Sequence, residues 1–393
     1  MSKGRLAFVT PRYGDEVVGG SESVLREAAQ GLVERGWEVD ILTTCAVDHH
    51  TWANAMAPES FAEAGVQVHR FSTVHDGDKA QRDLMEGRIQ LGLPVTPEEQ
   101  RLWLSGTFRV PDLFHHLVRH ADDYHAIVMS PYLFWTTVSC AVVAPERTIV
   151  MPCLHDEYYA YLDVVRPVLS DVAQVWFLSE PEHDLGHRLA ELAPHHVTGA
   201  GLHVPDLGDP ARGRGRAGTD RPFLYYGGRR EGGKGWDQLL GAFTRAVVEF
   251  GADLDLVTSG VGAIDPAPVV ASRVHDLGRL PYDELADIFA AASAYVQPSR
   301  NESFSRTIME AWLAGTGVIA NADSAVVAWH CERSGAGITY DDADELVQAI
   351  VVVGERPDAL DGLAAGGREY VLREYTWPTV LDRMEAALAE LPS

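Results

Sequence analysis

The sequence predicts an α/β protein made of two doubly wound halves, and three observations carry that reading. Short β-rich runs alternate with amphipathic helical stretches from residue 5 to residue 192. The alternation breaks in a Gly-, Pro- and charge-rich stretch before residue 222 and then restarts. A chain of 393 residues with 46% hydrophobic content is long enough to bury two separate cores.

Taken in order, Arg5 to Thr10 is a β run and Ser21 to Arg35 carries apolar residues at helical spacing (Val24, Leu25, Ala28, Leu32, Val33). Val39 to Thr43 is a second β run, so the chain opens as βαβ. Further β runs stand at Gln67 to Phe71, Ala126 to Met129, Thr148 to Met151 and Val175 to Leu178, with the helix Pro181 to Leu192 after them. Between about 72 and 120 the pattern weakens into helical pieces broken at Pro94, Pro97 and Pro111, read as an insertion facing the active-site cleft. Residues 201–221 are too rich in Gly, Pro and charge to pack and are expected to be a linker. The second half, 222–375, begins with strand Phe223 to Tyr226 and helix Trp236 to Phe250. Strands at Leu254 to Thr258 and Arg273 to Asp276 and a helix from Tyr282 to Ala292 follow. A final helix in 376–393 is expected to return to the first half, 1–200. Open parallel sheets bind ligands outside the carboxyl ends of their strands, so the site is expected where the two halves face each other.

The formal net charge of -25 argues against nucleic acid and against a purely electrostatic grip on anionic lipid. No stretch of about eighteen apolar residues occurs and no leader pattern opens the chain, so a cytoplasmic protein with no transmembrane segment is expected. Cys45, Cys140, Cys153 and Cys331 have neither metal-ligand spacing nor a disulfide pattern. Three lysines stand against 29 arginines, and the only lysine beyond residue 79 is Lys234, in Gly227-Gly228-Arg229-Arg230-Glu231-Gly232-Gly233-Lys234-Gly235. A charged surface turn would read the same way, but in so acidic a chain a local cationic pair stands out.

The stretch Pro298-Ser299-Arg300-Asn301-Glu302-Ser303-Phe304-Ser305 follows the apolar run Ala294 to Gln297 and feeds a helix bearing Glu310. A strand, a loop and a helix N-terminus suit a phosphate, and carboxylates beside them suit hydroxyls. Phosphate plus hydroxyls describes a nucleotide sugar. Near the start, Gly19-Gly20 precede a helix that Ser21 can cap. No G-x-G-x-x-G follows the first β run and no acidic residue ends the second, which disfavours a dinucleotide enzyme. His155 follows the run Thr148 to Met151 and so lies at a strand's carboxyl end. Asp156 and Glu157 could join it on a metal, but sequence neighbours diverge in direction.

Together Gly19-Gly20-x-Glu22, His155-Asp156, Gly228-Arg229-x4-Lys234-Gly235, Ser259-Gly260-Val261-Gly262, Leu277-Gly278-Arg279-Leu280 and Glu302-x7-Glu310 resemble family 4 of the retaining glycosyltransferases, which has the GT-B fold. The resemblance runs from about residue 5 to 340. It implies that Arg229 and Lys234 bind the donor diphosphate as leaving group, that Glu310 holds the ribose, and that Glu302 lies beside the donor sugar with the backbone of Ser303, Phe304 and Ser305 along it. It further implies that Gly19 and Gly20 meet the diphosphate and sugar from the first half together with Gly228 and Gly260, that His155 contacts the sugar near the reacting carbon, and that backbone around Leu280 meets the base. No metal and no cofactor are implied; the co-substrate is a nucleotide diphosphate sugar of UDP or GDP type.

Ser305 departs from the family's usual glycine and is expected to narrow the space at the donor sugar. Gly317 and Ser324-Ala325 depart from a proline and a Gly-Gly pair. The expected reaction is transfer of a sugar with retention to a hydroxyl-bearing acceptor, in polysaccharide or glycolipid assembly or on a natural product. A non-catalytic sugar-nucleotide sensor and a GT-B sugar phosphorylase or epimerase are the alternatives.

Overall fold

The structure, a computed structural model, describes residues 3–14, 17, 19–205 and 207–392, without the side chain of Asp283. Asp15, Glu16 and Val18 of the loop that follows the first strand lie outside the described residues. The chain divides into two compact units, one of residues 1–201 and 377–393, the other of residues 202–376.

The first unit carries strands β1 (Arg5–Val9), β2 (Glu38–Thr44), β3 (Ser60–Glu63), β4 (Val66–Phe71), β5 (Ala126–Met129), β6 (Thr148–Val150), β7 (Gln174–Phe177) and β8 (His195–Val197). Their order in one sheet is β3-β4-β2-β1-β5-β6-β7-β8, and every pairing is parallel except β3 with β4. Leu6, Ala7, Phe8 and Val9 are all buried, the near-continuous apolar run of a strand covered on both faces. The helix Gly20–Glu34 turns Val24, Leu25, Ala28, Ala29 and Leu32 inward. The helix Trp377–Leu388 packs on it: Trp377 donates to Glu27 at 3.0 Å, and a side chain at Gly31 would strike Leu381. Lys3, Arg35 and Trp37 all converge on Glu385 of that last helix.

The second unit carries β9 (Phe223–Gly227), β10 (Asp255–Ser259), β11 (Val274–Asp276), β12 (Ala294–Gln297), β13 (Val318–Asn321) and β14 (Gly337–Tyr340). The sheet order is β11-β10-β9-β12-β13-β14, all parallel. Numbered within the unit this is 3-2-1-4-5-6, so the winding reverses between β9 and β12, the switch point at which such sheets bind ligands.

One reading of the sequence needs correction: the stretch 201–221 is not simply a linker. Pro210–Ala217 forms a helix, capped by Asp209 and ended by Gly218 at φ 70°, within the second unit. Arg212 bonds Asp287 at 2.9 and 3.0 Å, and a Cβ on Gly213 would lie 2.0 Å from the Asp287 carbonyl oxygen. The glycines mark close helix packing, not disorder. In the 72–120 segment, Pro97 and Pro111 open helices (Pro97–Thr107, Pro111–His120) as first-turn prolines do, while Lys79–Gln90 precedes them. Met85, Ile89, Trp103, Leu113 and Leu117 are buried in one apolar core with β1 and β5 residues. The sequence reading names none of β3, β8, β13 and β14; β3 and β8 are short edge segments of exposed or partly buried residues.

Candidate active site

In the second unit the residues singled out by the sequence stand on four loops at the carboxyl ends of β9, β10, β11 and β12. Glycines allow these loops to touch. Gly228 (φ 155°) donates to the Ser259 carbonyl at 3.0 Å, and Gly260 (φ 128°) donates to the Gly278 carbonyl at 2.7 Å. A Cβ on Gly260 would sit 2.0 Å from the Gly228 carbonyl oxygen, so no other residue fits there without moving backbone. Leu280, just past Gly278, is half-buried.

The loops after β9 and β12 meet across the switch point. Lys234, in the short helical turn Gly232–Lys234, places Nζ 2.7 Å from Glu302 Oε1 and 3.4 Å from the Asn301 carbonyl oxygen. Gly235 (φ 71°) permits this, since a Cβ there would lie 2.4 Å from the Pro298 carbonyl oxygen. Both partners are largely covered, at 27% and 13% side-chain exposure, so the attraction is less screened than on open surface. A pocket of ≈ 290 Å³ opens beside the same turn, lined by Gly233, Gly235, Pro298 and Arg300 among others.

The tandem arginines part company. Arg229 is half-exposed, 3.5 Å from Glu231. Arg230, which the sequence reading passed over, turns inward: its guanidinium bonds Asp276, the Gly262 carbonyl (2.8 Å) and the Thr258 hydroxyl (3.3 Å). Arg230 therefore ties three loops together, while Arg229 lies half-exposed beside Glu231. The partners on β10 and β11 distinguish the two, and a tandem pair gives no local sign of them.

After β12, Phe304 is buried edge-on against His330 (5.2 Å) and Tyr375 (4.9 Å), anchoring the loop with Glu302 and Ser303 half-buried beside it. Burial pushes the His330 imidazole down to about 3, with Arg333 adding to the shift. Ser305 sits in the left-handed region (φ 64°, ψ 73°) as N-cap of the helix Arg306–Leu313, where glycine would be unstrained. Its hydroxyl accepts from Gln297 Nε2 at 2.7 Å and is buried. Glu310 lies half-buried one turn into that helix, close enough for its charge to help burial raise the Tyr225 phenol.

In the first unit, Gly19 and Gly20 serve different ends. The helix starts at Gly20, with Gly19 rather than Ser21 as its N-cap. A Cβ on Gly19 would lie 2.1 Å from Glu22 Oε2, because Glu22 folds back to pair with Arg12 in a buried ion pair at 2.5 Å. A Cβ on Gly20 would meet nothing. Ser21 instead donates to Glu22 at 2.8 Å.

His155 lies beyond β6, its Nδ1 3.6 Å from Glu157, which also accepts from Tyr132 at 3.1 Å. Asp156 points elsewhere, to Tyr161 (2.7 Å) and Arg188 (2.8 Å), so the three neighbours do not converge on a metal. The loop is held by a residue missed in the sequence, Glu182. It is buried and accepts the backbone N–H of Leu154 at 2.7 Å and of Leu178 at 2.6 Å. Burial pushes its carboxyl up to about 8 against the pull of those N–H groups. Ser179-x-x-Glu182 looks like a helix cap, and nothing local reveals the distant N–H. Among the aromatic residues of the first unit, Trp52 is core, stacked on Phe108 at 4.3 Å, whereas Tyr158 and Tyr161 are exposed.

Comparison with known proteins bears on this arrangement. Residues 221–355, which carry Arg229, Lys234, Glu302 and Glu310, match the family described as Glycosyl transferases group 1. The chain is 29% identical over 408 residues to D-inositol 3-phosphate glycosyltransferase 1 of Catenulispora acidiphila, covering 96% of this chain and 91% of that protein. It is 25% identical over 183 residues to a GDP-mannose-dependent monoacylated alpha-(1-6)-phosphatidylinositol monomannoside mannosyltransferase of Corynebacterium glutamicum, covering 44% of this chain and 48% of the relative. Similar solved structures include sucrose-phosphate synthase of Thermosynechococcus elongatus (TM-score 0.73, 19% identity, 99% of both chains). Another is Anabaena HepE in complex with UDP-glucose (TM-score 0.68, 15% identity, 98% of this chain and 100% of that one). Among the described residues no helix is long and apolar enough to cross a membrane. The sensor, phosphorylase and epimerase readings gain no support from these relatives. With the family's match on the loops just described and a relative of 29% identity aligned along nearly its whole length, residues 221–355 carry the group 1 glycosyltransferase signature and the chain has the GT-B fold.

Proposed function

We propose that the chain transfers a glycosyl group from a nucleoside diphosphate sugar, of UDP or GDP type, to an acceptor hydroxyl, with retention of anomeric configuration and without a metal, as a family 4 enzyme does. The observation that carries this reading is the Lys234–Glu302 pair across the switch point of the second unit. An ammonium has three donors. Two of them are directed at Glu302 and Asn301, leaving one for a diphosphate oxygen. Arg229 adds a second cation, and the helix opening at Arg306 adds the positive end of its dipole. Preorganised positive charge of this kind stabilises a departing diphosphate as a metal would.

In the proposed step the bond from the anomeric carbon to the diphosphate oxygen breaks while the acceptor oxygen bonds to the same face. The acceptor's proton passes to the leaving oxygen. Glu302 takes sugar hydroxyls and Glu310 the ribose diol, since a carboxylate accepts two hydroxyl protons at once. Gly228, Gly260, Ser303, Phe304 and Ser305 are assigned to the donor through their backbone, Leu280 to the base, and Gly19, Gly20 and His155 to the diphosphate and sugar. A relative whose name specifies GDP-mannose and a neighbour in complex with UDP-glucose support the two donor types. An inositol phosphate glycosyltransferase among the relatives supports a hydroxyl acceptor.

The test is the thermal midpoint of tag-free protein against UDP, GDP, dTDP, ADP and CDP. A ligand at a hundred times its dissociation constant stabilises by about 2.7 kcal/mol. UDP or GDP is expected to raise the midpoint, and a response to none of the five overturns the roles of Arg229, Lys234 and Glu310. Turnover with the matching donor is expected to survive EDTA and to give, by NMR, a product with the donor's anomeric configuration. An inverted product excludes the mechanism.

A further inference from the structure

Three histidines of the first unit converge at a place that sugar transfer does not use. His183 and His187 are one turn apart on the helix Glu180–Leu189, so they share a face. His195 opens β8, the last strand of the sheet, five residues past that helix's C-cap at Ala190. The Nε2 atoms of His183 and His187 are 3.0 Å apart. One ring nitrogen from each of the three histidines falls within 4.8 Å of the others. The rings form a triangle, with centroids 4.5, 4.9 and 5.2 Å apart.

We propose that His183, His187 and His195 form a binding site for a borderline-soft divalent metal ion, zinc above all, which clips the helix Glu180–Leu189 to the edge strand β8. Two neutral imidazoles that face each other nitrogen to nitrogen can share one proton, or each can give a lone pair to one cation. Two nitrogens on a single tetrahedral zinc stand roughly 3.3 Å apart, from zinc–nitrogen bonds of about 2.0–2.1 Å. The observed 3.0 Å is near that value, and His187 is exposed and able to adjust.

The outer contacts point the same way. Ligating histidines characteristically donate their second ring N–H to a carbonyl or carboxylate, which directs the other nitrogen at the metal. His195 Nδ1 lies 2.9 Å from the Ala193 carbonyl oxygen. His183 Nδ1 is buried 3.5 Å from Asp184 and 3.8 Å from Glu180 and hydrogen-bonds neither, while its Nε2 faces His187. In His195 the Ala193 contact leaves Nε2 as the ligand. Phe177 of β7 packs edge-on against His183 (5.4 Å) and His195 (6.3 Å) and backs the site with an apolar wall.

An all-imidazole set suits zinc, copper or nickel and does not suit magnesium or calcium, which prefer oxygen. Three protein ligands leave a fourth position for water. The clip would also brace the helix whose Glu182 holds the Leu154 N–H, next to His155. The metal would thus act on the fold of the first unit, whereas Arg229, Lys234 and Glu302 belong to the second.

The experiment uses full-length, tag-free protein stripped with EDTA and dialysed. Zinc ion alone is titrated by calorimetry, and cobalt is added separately to read visible d–d bands. We expect one zinc per chain with a dissociation constant below about 10 μM, where binding free energies approach those of micromolar ligands, a tetrahedral cobalt spectrum and a raised thermal midpoint. His187→Gln and His195→Ala should each weaken zinc by more than the roughly 10- to 100-fold that loss of an outer-shell partner costs, and should abolish the midpoint shift. His120→Ala, at a separate histidine pair with His116, should change neither. Binding weaker than that limit, or binding that survives both cluster variants, overturns the proposal. His187 is exposed, so its variant is expected to fold; if the His195 variant does not, the His187 variant decides.

Discussion

Lys234 and Glu302 are 68 positions apart in the chain and 2.7 Å apart in space, joined across the point where the second sheet reverses its winding. Each therefore sets the other's availability: a diphosphate must compete with Glu302 for the ammonium, and a sugar hydroxyl must compete with Lys234 for the carboxylate. Lys234→Ala is expected to lower kcat/KM by about 2–4 kcal/mol of transition-state stabilisation with the fold intact. Glu302→Gln is expected to lower turnover while free nucleoside diphosphate binds more tightly, because the ammonium loses its competing anion. Weaker diphosphate binding by the Gln variant in calorimetry would contradict this pairing.

Ser305 holds a left-handed conformation that costs a non-glycine residue about 1–2 kcal/mol. The buried hydrogen bond from Gln297 returns about 1 kcal/mol. Ser305→Gly removes both and is expected to stay within about 1 kcal/mol of the parent. Ser305→Ala keeps the strain and loses the bond, so it is expected to be less stable by about 1 kcal/mol. Urea unfolding of the two variants checks this; an Ala variant as stable as the Gly variant refutes the account.

Arg229 and Arg230 should respond in opposite ways to the same change. Arg230→Met removes the ties to Gly262 and Thr258 as well as to Asp276, which is exposed and keeps the Gly278 N–H, and is expected to destabilise by about 1–2 kcal/mol. Arg229→Met is expected to change stability by less than about 0.5 kcal/mol, since its contact to Glu231 is solvent-screened. Its turnover should fall instead. Denaturation midpoints and kcat/KM measured on both variants separate the two roles.

His330 makes the second unit acid-sensitive. The unfolded imidazole takes up a proton near 6.5 and the folded one only near 3, so between those values the unfolded chain binds more protons. Stability contributed at neutral pH is therefore lost as pH falls from about 6.5 toward about 3. Between pH 7 and 5 this one group should remove about 2 kcal/mol. His330→Gln is expected to flatten that part of the profile, read as the difference in urea midpoints between the two proteins. An unchanged slope would mean that His330 is protonated in the folded state.

The two doubly wound units, most of their strands and the loops bearing Arg229, Lys234, Glu302 and Glu310 were legible in the sequence by itself. Hydrophobic periodicity and the residues that end a strand or start a helix are local, and the order of strands and helices follows from them. What the tertiary structure alone decided is which distant groups meet. It turned the Gly-rich 202–221 segment into a packed helix through Asp287, sent Arg230 inward to Asp276, and turned the Ser305 hydroxyl to Gln297. It likewise set Glu182 under the His155 loop and gathered His195 with His183 and His187. Each of these depends on a partner outside the local run, from eight residues away for Gln297 to 75 for Asp287, or on the packing of a strand edge against a helix. Burial makes such pairings strong by removing competing water. Composition and spacing along the chain do not record where that burial falls.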